Sequence, residues 1–280
     1  MDLDNLLDFA TRAALRAGEI TLEHFGSVAV EFKGDGSEVT RADRASEEYL
    51  REAIREAFPE DGILGEEGTQ VPSRSGRRWI LDPIDGTRSF ASGVPLYGVL
   101  LAMEERGSPV LGCIHFPALG QTLTAVDGGG AWLDGQRARV SECDDLREAR
   151  VVTSGLEYWR DWSTEEGRRG WDALVRGCRF VRTWGDCYGF SLVATGRAEV
   201  MAEATVGALW DYSPMVPILR EAGGRLTTLA AEPLSAWSSA LGTNGRVHEA
   251  ALRCWEPNSA GDWAFQAEPV HARRRAPAGE

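Results

Sequence analysis

Lysine is almost missing from this chain: Lys33 stands alone among 30 basic side chains, the rest being arginine. Any reaction that needs an amine side chain would have to use Lys33. Cysteine is also scarce, and Cys113, Cys143, Cys178, Cys187 and Cys254 are odd in number and contain no CxxC pair. That excludes a disulfide framework and a thiolate zinc site, and it fits reduced thiols. The four histidines, His24, His115, His248 and His271, lie in no Arg-His-Gly context, which argues against phosphohistidine chemistry. No stretch approaches the ~20 apolar residues of a membrane helix. The opening MDLDNLLDFATRAAL also lacks a basic segment followed by an apolar run, so a soluble cytoplasmic protein without a membrane partner is expected. Positive charge is in deficit, with a formal net charge of −13. Nucleic acid is therefore excluded as a partner, while a bound metal or cationic ligand suits the surface better.

What is present is an ordinary globular composition, 43% hydrophobic over 280 residues. Leu3, Leu6, Leu7, Ala10, Ala13, Ala14, Ala17 and Phe25 recur at three- and four-residue steps and predict an amphipathic helix; Tyr49, Leu50, Ala53, Ile54 and Ala57, closed by Pro59, predict a second. After Gly62 the pattern turns to short apolar runs that read as strands: Ile63-Leu64, 79–81, 99–103, 110–116, 122–126, 151–153, 180–182 and 198–201. Helical stretches are expected at 187–195 and 211–222. The mixture predicts an α+β or layered α/β fold. The polar segment Ser141 to Arg150 is the expected boundary between an N-terminal half, 1–145, and a C-terminal half, 146–267, with 268–280 as a flexible tail.

The run Trp79-Ile80-Leu81-Asp82-Pro83-Ile84-Asp85-Gly86-Thr87 carries the most chemistry. A strand is expected to end on Asp82, because Pro83 cannot donate to a ladder and Gly86 permits a tight turn. Two carboxylates three apart, with the Ile84 carbonyl between them, offer the clustered hard oxygens that Mg²⁺ prefers. If Gly86 and Thr87 open a helix, their N–H groups can receive a phosphate. Upstream lie Glu66 and Glu67 between Gly65 and Gly68; downstream, Trp210-Asp211 begins a helix that runs to Glu221-Ala222-Gly223-Gly224. Each piece alone has a plainer reading. DPxDG is made of turn residues, the Glu pair would be a solvated loop, Asp211 a first-turn helix carboxylate, and Asp43 within Arg41-Ala42-Asp43-Arg44 an exposed salt-bridge partner.

Together, WxxDPxDGT at 79–87, Gly-Glu-Glu at 65–67, Val39-Thr40-x-x-Asp43, and Trp210-Asp211 with Glu221-Ala222-Gly223-Gly224 resemble the signatures of the inositol-monophosphatase-like phosphatases, in order and over roughly residues 5 to 255. The resemblance implies a layered αβαβα sandwich, a homodimer, and hydrolysis of a small phosphorylated substrate by metal-activated water. By it, Glu66, Asp82, the Ile84 carbonyl, Asp85 and Asp211 would bind two or three Mg²⁺ ions. Asp43, Glu66 and Thr87 would be catalytic, Gly86 and Thr87 would bind phosphate, and Asp85, Asp186, Glu203 and Asp211 would face the substrate. The stretch Arg182-Thr183-Trp184-Gly185-Asp186-Cys187-Tyr188-Gly189-Phe190 is similar to the histidinol-phosphate phosphatases in particular, as is Gly93-Val94-Pro95. Asp186 could pair with the substrate ammonium, or cap the helix that follows it. L-histidinol phosphate is thus the first expected substrate and myo-inositol monophosphate the second.

Residues 204–209, before Trp210-Asp211, depart from the relatives' pattern and are expected as an unusual loop beside the substrate. Tyr158 to Trp162 is expected to serve packing before it serves a substrate rim or subunit contact. A haloacid-dehalogenase-like mechanism, with Asp82 as covalent nucleophile, is disfavoured because the aspartates are three apart and no downstream lysine exists. A metal-stabilised interaction protein that has lost its chemistry would usually have a substituted ligand, and none is substituted here.

Overall fold

The computed structural model describes residues 3–26, 31–32 and 38–256; Lys33 and the expected tail 268–280 lie outside them. Helix α1 (Leu3–Leu22) and the short pair β1 (Glu31–Phe32) and β2 (Glu38–Val39) precede α2 (Arg41–Ala57). A seven-stranded sheet follows: β3 (Gly62–Gly65), β4 (Arg77–Asp85), β5 (Gly98–Glu105), β6 (Ser108–Phe116), β7 (Gln121–Val126), β8 (Gly130–Leu133) and β9 (Gln136–Arg137), with α3 (Thr87–Ala91) inserted after β4. Its strands lie in sequence order, β3 parallel to β4 and the others antiparallel.

The rest of the chain builds a five-stranded sheet in the order β11-β10-β12-β14-β13. Its elements are β10 (Arg150–Val152), α4 (Glu165–Gly177), β11 (Phe180–Arg182), α5 (Asp186–Ala194), β12 (Val200–Gly207), α6 (Leu209–Tyr212), α7 (Met215–Ala222), β13 (Arg225–Thr227), β14 (Ser238–Thr243) and α8 (His248–Leu252). β10 is parallel to both β11 and β12, whereas β14 runs antiparallel to β12 and β13.

Three cores define the layers. The apolar stripe of α1 and α2 packs on one face of the larger sheet through Leu6, Ala10, Ala14, Leu50 and Ile54 against Trp79, Leu81 and Leu101. Leu100, Ile114 and Leu123 on its other face meet Phe190, Met215 and Ile218 from α5 and α7, which also cover Met201 and Ala240 of the smaller sheet. The outer face of that sheet is closed by Trp159, Trp171 and Leu174 against Val200, Ala202 and Leu241. The succession is helices, sheet, helices, sheet, helices, the αβαβα arrangement that the resemblance implied.

Several local expectations change. Residues Tyr158–Trp162 form a π-helical turn in which Trp159 is buried and stacks on Trp171 at 4.6 Å, so packing holds for that ring, while Trp162 is exposed. β4 does not end on Asp82: it continues to Asp85 through a register shift between Asp82 and Asp85, a bulge that absorbs the missing donor of Pro83. The helix expected over 211–222 is two, α6 and α7, with Ser213 and Pro214 between them. Residues 204–207 are not a loop. β12 runs on to Gly207 with an irregularity after Glu203, and Gly207 has no Cβ because Tyr212 packs where one would be.

Candidate active site

Thr40 caps α2, its Oγ1 accepting from Ala42 N at 3.1 Å, while Asp43 accepts from Thr40 N at 2.8 Å and from the Thr40 hydroxyl at 2.5 Å. Both bonds fall on Asp43 Oδ2, and Oδ1 is buried without a hydrogen-bond partner among the described residues. Asp43 is only 1% exposed and is not the surface ion-pair partner that its charged neighbours suggest. Burial pushes its pKa up to about 6 despite the two bonds from Thr40.

The β4 bulge turns Asp82 inward, 1% exposed, with its Oδ1 accepting from Ile84 N at 3.0 Å. Gly86 then takes φ +87°, a left-handed conformation that glycine adopts freely, and starts α3. A Cβ at Gly86 would lie 3.2 Å from Asp186 Oδ2, so this glycine also lets the two halves of the site approach. Thr87 donates its hydroxyl to Ile84 O at 3.2 Å. The Gly86 and Thr87 N–H groups stand where a helix leaves its donors without intrahelical acceptors.

The smaller sheet supplies the opposite wall. Asp211, in the first turn of α6, accepts from Ala208 N at 2.6 Å. Asp85 accepts from Cys187 N at the start of α5, so that helix N-terminus is engaged with a carboxylate. Asp82, Asp85 and Asp211 each place one oxygen within 4.8 Å of the others. Glu66 is not in this triad but acts electrostatically on Asp82 and Asp211. Burial first, and then the neighbouring carboxylates, raise Asp82 and Asp85 well above the usual range. The same causes lift Asp211 to about 7.

Asp186 and Glu203 continue the acidic wall. The parallel register of β10 and β12, Val151 beside Val200, carries Ser154 opposite Glu203. Ser154 donates to Glu203 Oε1 through N at 2.9 Å and Oγ at 2.6 Å, and its Oγ accepts from Asp186 N at 2.6 Å. Asp186 is not the helix cap. Gly185 occupies that position, and Asp186 is the first helical residue, held at φ +51°, a conformation costly for a side chain with a Cβ and one that collects at functional sites. Burial pushes Glu203 up to about 8 and raises Asp186, against which the Arg88 charge works in the other direction. Arg88 is paired with Glu157 at 2.8 Å and lies 5.4 Å from the Tyr158 ring centre.

The structure thus brings Asp82 and Asp85 of β4 together with Asp211 of α6, with Asp43, Thr87, Asp186 and Glu203 around them and Glu66 acting on the triad through its charge. The partners that hold them, Ser154, Cys187 and the Arg88–Glu157 pair, were not anticipated, and Ser154 alone had a signal, the matched strand register. The donor set is oxygen throughout, which suits a hard divalent cation. Its raised pKa values mark negative charge that a cation would discharge, and Asp43 Oδ1 is a buried acceptor still without a donor. The residues therefore fit a metal of the Mg²⁺ type.

The profile of the Inositol monophosphatase family matches residues 2–262. A histidinol-phosphatase of Chlorobaculum parvum is 43% identical over 247 residues, 85% of this chain and 94% of that protein. One from Mycobacterium tuberculosis is 38% identical over 260 residues, 90% of this chain and 98% of that protein. Among solved structures, the IMPase of Thermotoga maritima superposes with a TM-score of 0.80 at 30% identity, over 90% of this chain and 96% of that one.

Proposed function

Because the chain belongs to the inositol monophosphatase family and is a phosphomonoesterase, we propose that it hydrolyses L-histidinol phosphate to L-histidinol and phosphate in a Mg²⁺-dependent reaction. The observation that carries the substrate is the pair Asp186 and Glu203, two carboxylates beside the acidic triad, with Ser154 Oγ donating to the Glu203 carboxylate and accepting from the Asp186 backbone N–H. A phosphorylated amino alcohol brings an ammonium that the Asp186 and Glu203 carboxylates can hold by charge-assisted bonds, whereas an inositol offers neutral hydroxyls. The names of the relatives at 43% and 38% identity support the same substrate. Myo-inositol monophosphate is the competing reading, supported by the likeness to the Thermotoga maritima IMPase.

In this reading Glu66, Asp82, the Ile84 carbonyl, Asp85 and Asp211 would hold Mg²⁺. Once bound, it would supply charge neutralisation for the phosphate and the leaving group and a more acidic water. Asp43, with Oδ2 fixed by Thr40 and Oδ1 unengaged, orients the attacking water and takes its proton, and the Thr87 hydroxyl, anchored on Ile84 O, holds that water in line. The N–H groups of Gly86 and Thr87 receive the phosphate oxygens. Asp186 and Glu203 orient the leaving group.

Phosphate release from L-histidinol phosphate, myo-inositol 1-phosphate, fructose 1,6-bisphosphate and a nucleoside monophosphate, with chelator and with Mg²⁺ restored, tests the assignment. Histidinol phosphate should lead by about tenfold or more in kcat/KM, and chelation should abolish turnover. A preference for inositol phosphate would displace the substrate; full activity in chelator would displace the metal site.

A further inference from the structure

Behind the acidic site, on α2, lies a buried ion pair that the chemistry above does not use. Glu47 is 2% exposed and Arg51, one turn later, 7%. Arg51 Nε donates to Glu47 Oε1 at 2.6 Å. The remaining capacity of Glu47 goes to the loop after β3: Glu67 N donates to Oε2 and Gly68 N to Oε1, both at 2.8 Å. Arg51 Nη1 continues the clamp by donating to Thr69 O at 2.8 Å. Three consecutive loop residues are thus tied to α2. On the other side, Glu66 N donates to Leu81 O at 3.3 Å, on the residue that precedes Asp82.

The glycines that frame the loop make the clamp possible. A Cβ at Gly65 would sit 2.4 Å from Glu47 Oε1, and one at Gly68 would sit 2.5 Å from Arg51 Nε. Neither could be accommodated without moving the ion pair. Burying an ion pair is a poor route to stability, since desolvation offsets most of the attraction; a gain in geometric definition is its better-attested use. Here the definition falls on Glu66, which stands between a bond to the strand of Asp82 and a clamp to the helix of Asp43.

We infer that Glu47, supported by Arg51, is a positioning residue that fixes the 66–69 loop so that Glu66 meets the metal together with Asp82, an inference that rests on the metal reading of the site. Glu47 itself touches neither metal nor substrate. Outer partners of this kind typically set about ten- to hundredfold in metal affinity. Glu47→Gln keeps one acceptor but turns an NH₂ toward a loop N–H, so it loosens the clamp without removing bulk.

The test is Mg²⁺ titration by calorimetry on the full chain, with no substrate present. Glu47→Gln should weaken Mg²⁺ binding about tenfold. Glu221→Gln is the control for a structural effect, because Glu221 also holds two backbone donors, Gly128 N and Gly130 N at 2.9 Å, on the β7–β8 turn outside the acidic triad. It should lower the melting temperature and leave Mg²⁺ affinity unchanged. Arg51→Lys, which retains the charge but loses the fork, should weaken Mg²⁺ in the same direction and supplies the answer should Glu47→Gln not fold. Wild-type affinity in Glu47→Gln, with weakened binding in Glu66→Gln, overturns the positioning role alone. Wild-type affinity in Glu66→Gln overturns the metal reading of that residue, and the inference with it.

Discussion

Replacing Asp82 by asparagine should make the metal-free protein more stable while removing its Mg²⁺ dependence. Asp82 is 1% exposed, and its ionisation is opposed first by burial and then by Glu66, Asp85, Asp211 and Asp43. With ligand oxygens within 4.8 Å, two full charges at an effective dielectric constant of 20 repel by about 3.5 kcal/mol. Coupled carboxylates share protons near neutral pH, which reduces the realised relief to about 1–2 kcal/mol. Asparagine retains the acceptor for Ile84 N, so the β4 bulge survives the change. For a chain of this size the gain corresponds to a melting temperature about 2–8 °C higher in chelator. In Mg²⁺ at a thousandfold excess over Kd the wild type gains about 4 kcal/mol that the variant largely forfeits, and the order of the two proteins reverses. Thermal denaturation of both proteins in chelator and in Mg²⁺ measures the crossover. A variant that melts at or below the wild type in chelator would refute the claim that the site stores buried repulsion.

The pH dependence of the metal-free protein follows from the same groups. Asp43, Asp211 and Glu203, raised to about 6, 7 and 8, hold protons in the folded state that the unfolded chain has released. Stability should therefore fall as pH rises from about 4 to 8, by at most about 1.4 kcal/mol per unit for each titrating group. Denaturation in chelator at pH 5 and pH 8 checks this, and a flat profile contradicts it. Asp186→Asn should lower kcat/KM for histidinol phosphate about ten- to hundredfold, and lower it less for inositol phosphate; an unchanged ratio of the two constants removes the ammonium contact. Acid quenching during turnover should trap no stoichiometric phosphoenzyme if water is the nucleophile as proposed, and an aspartyl-phosphate on Asp82 would reverse that assignment.

The residues legible in the sequence are those whose chemistry is carried by a local motif. Asp82 to Thr87 announce a turn of oxygen ligands through Pro83 and Gly86, and Thr40 with Asp43 forms a cap within four residues. Their depth was not legible. Asp43 looks solvated beside Arg41 and Arg44 and is buried, because α2 turns that side toward the site. The β4 bulge and the run of β12 through Gly207 depend on partner strands β5 and β14, which no short window contains. Asp186 reads as a cap, yet contacts through Ser154, 32 residues away, hold it in a left-handed conformation at the first helical position. Nothing in the sequence singles out the Glu47–Arg51 pair, whose burial comes with the bonds it makes to the 66–69 loop.

That the acidic triad is drawn from β4 and from the much later helix α6 has a consequence for synthesis on the ribosome. Asp82 and Asp85 leave the exit tunnel with the first sheet, whereas Asp211 lies on α6, after β12 of the second sheet, and follows Asp85 by 126 positions. At ordinary elongation rates of about 5–20 residues per second, the nascent chain carries an incomplete ligand set for roughly 6–25 s. During that interval the charge that Asp211 adds is absent, while Glu66, Asp85 and Asp43 already oppose the ionisation of Asp82. In the metal reading the ligand set is complete only when the last layer docks, so uptake of the ion would report that assembly is complete.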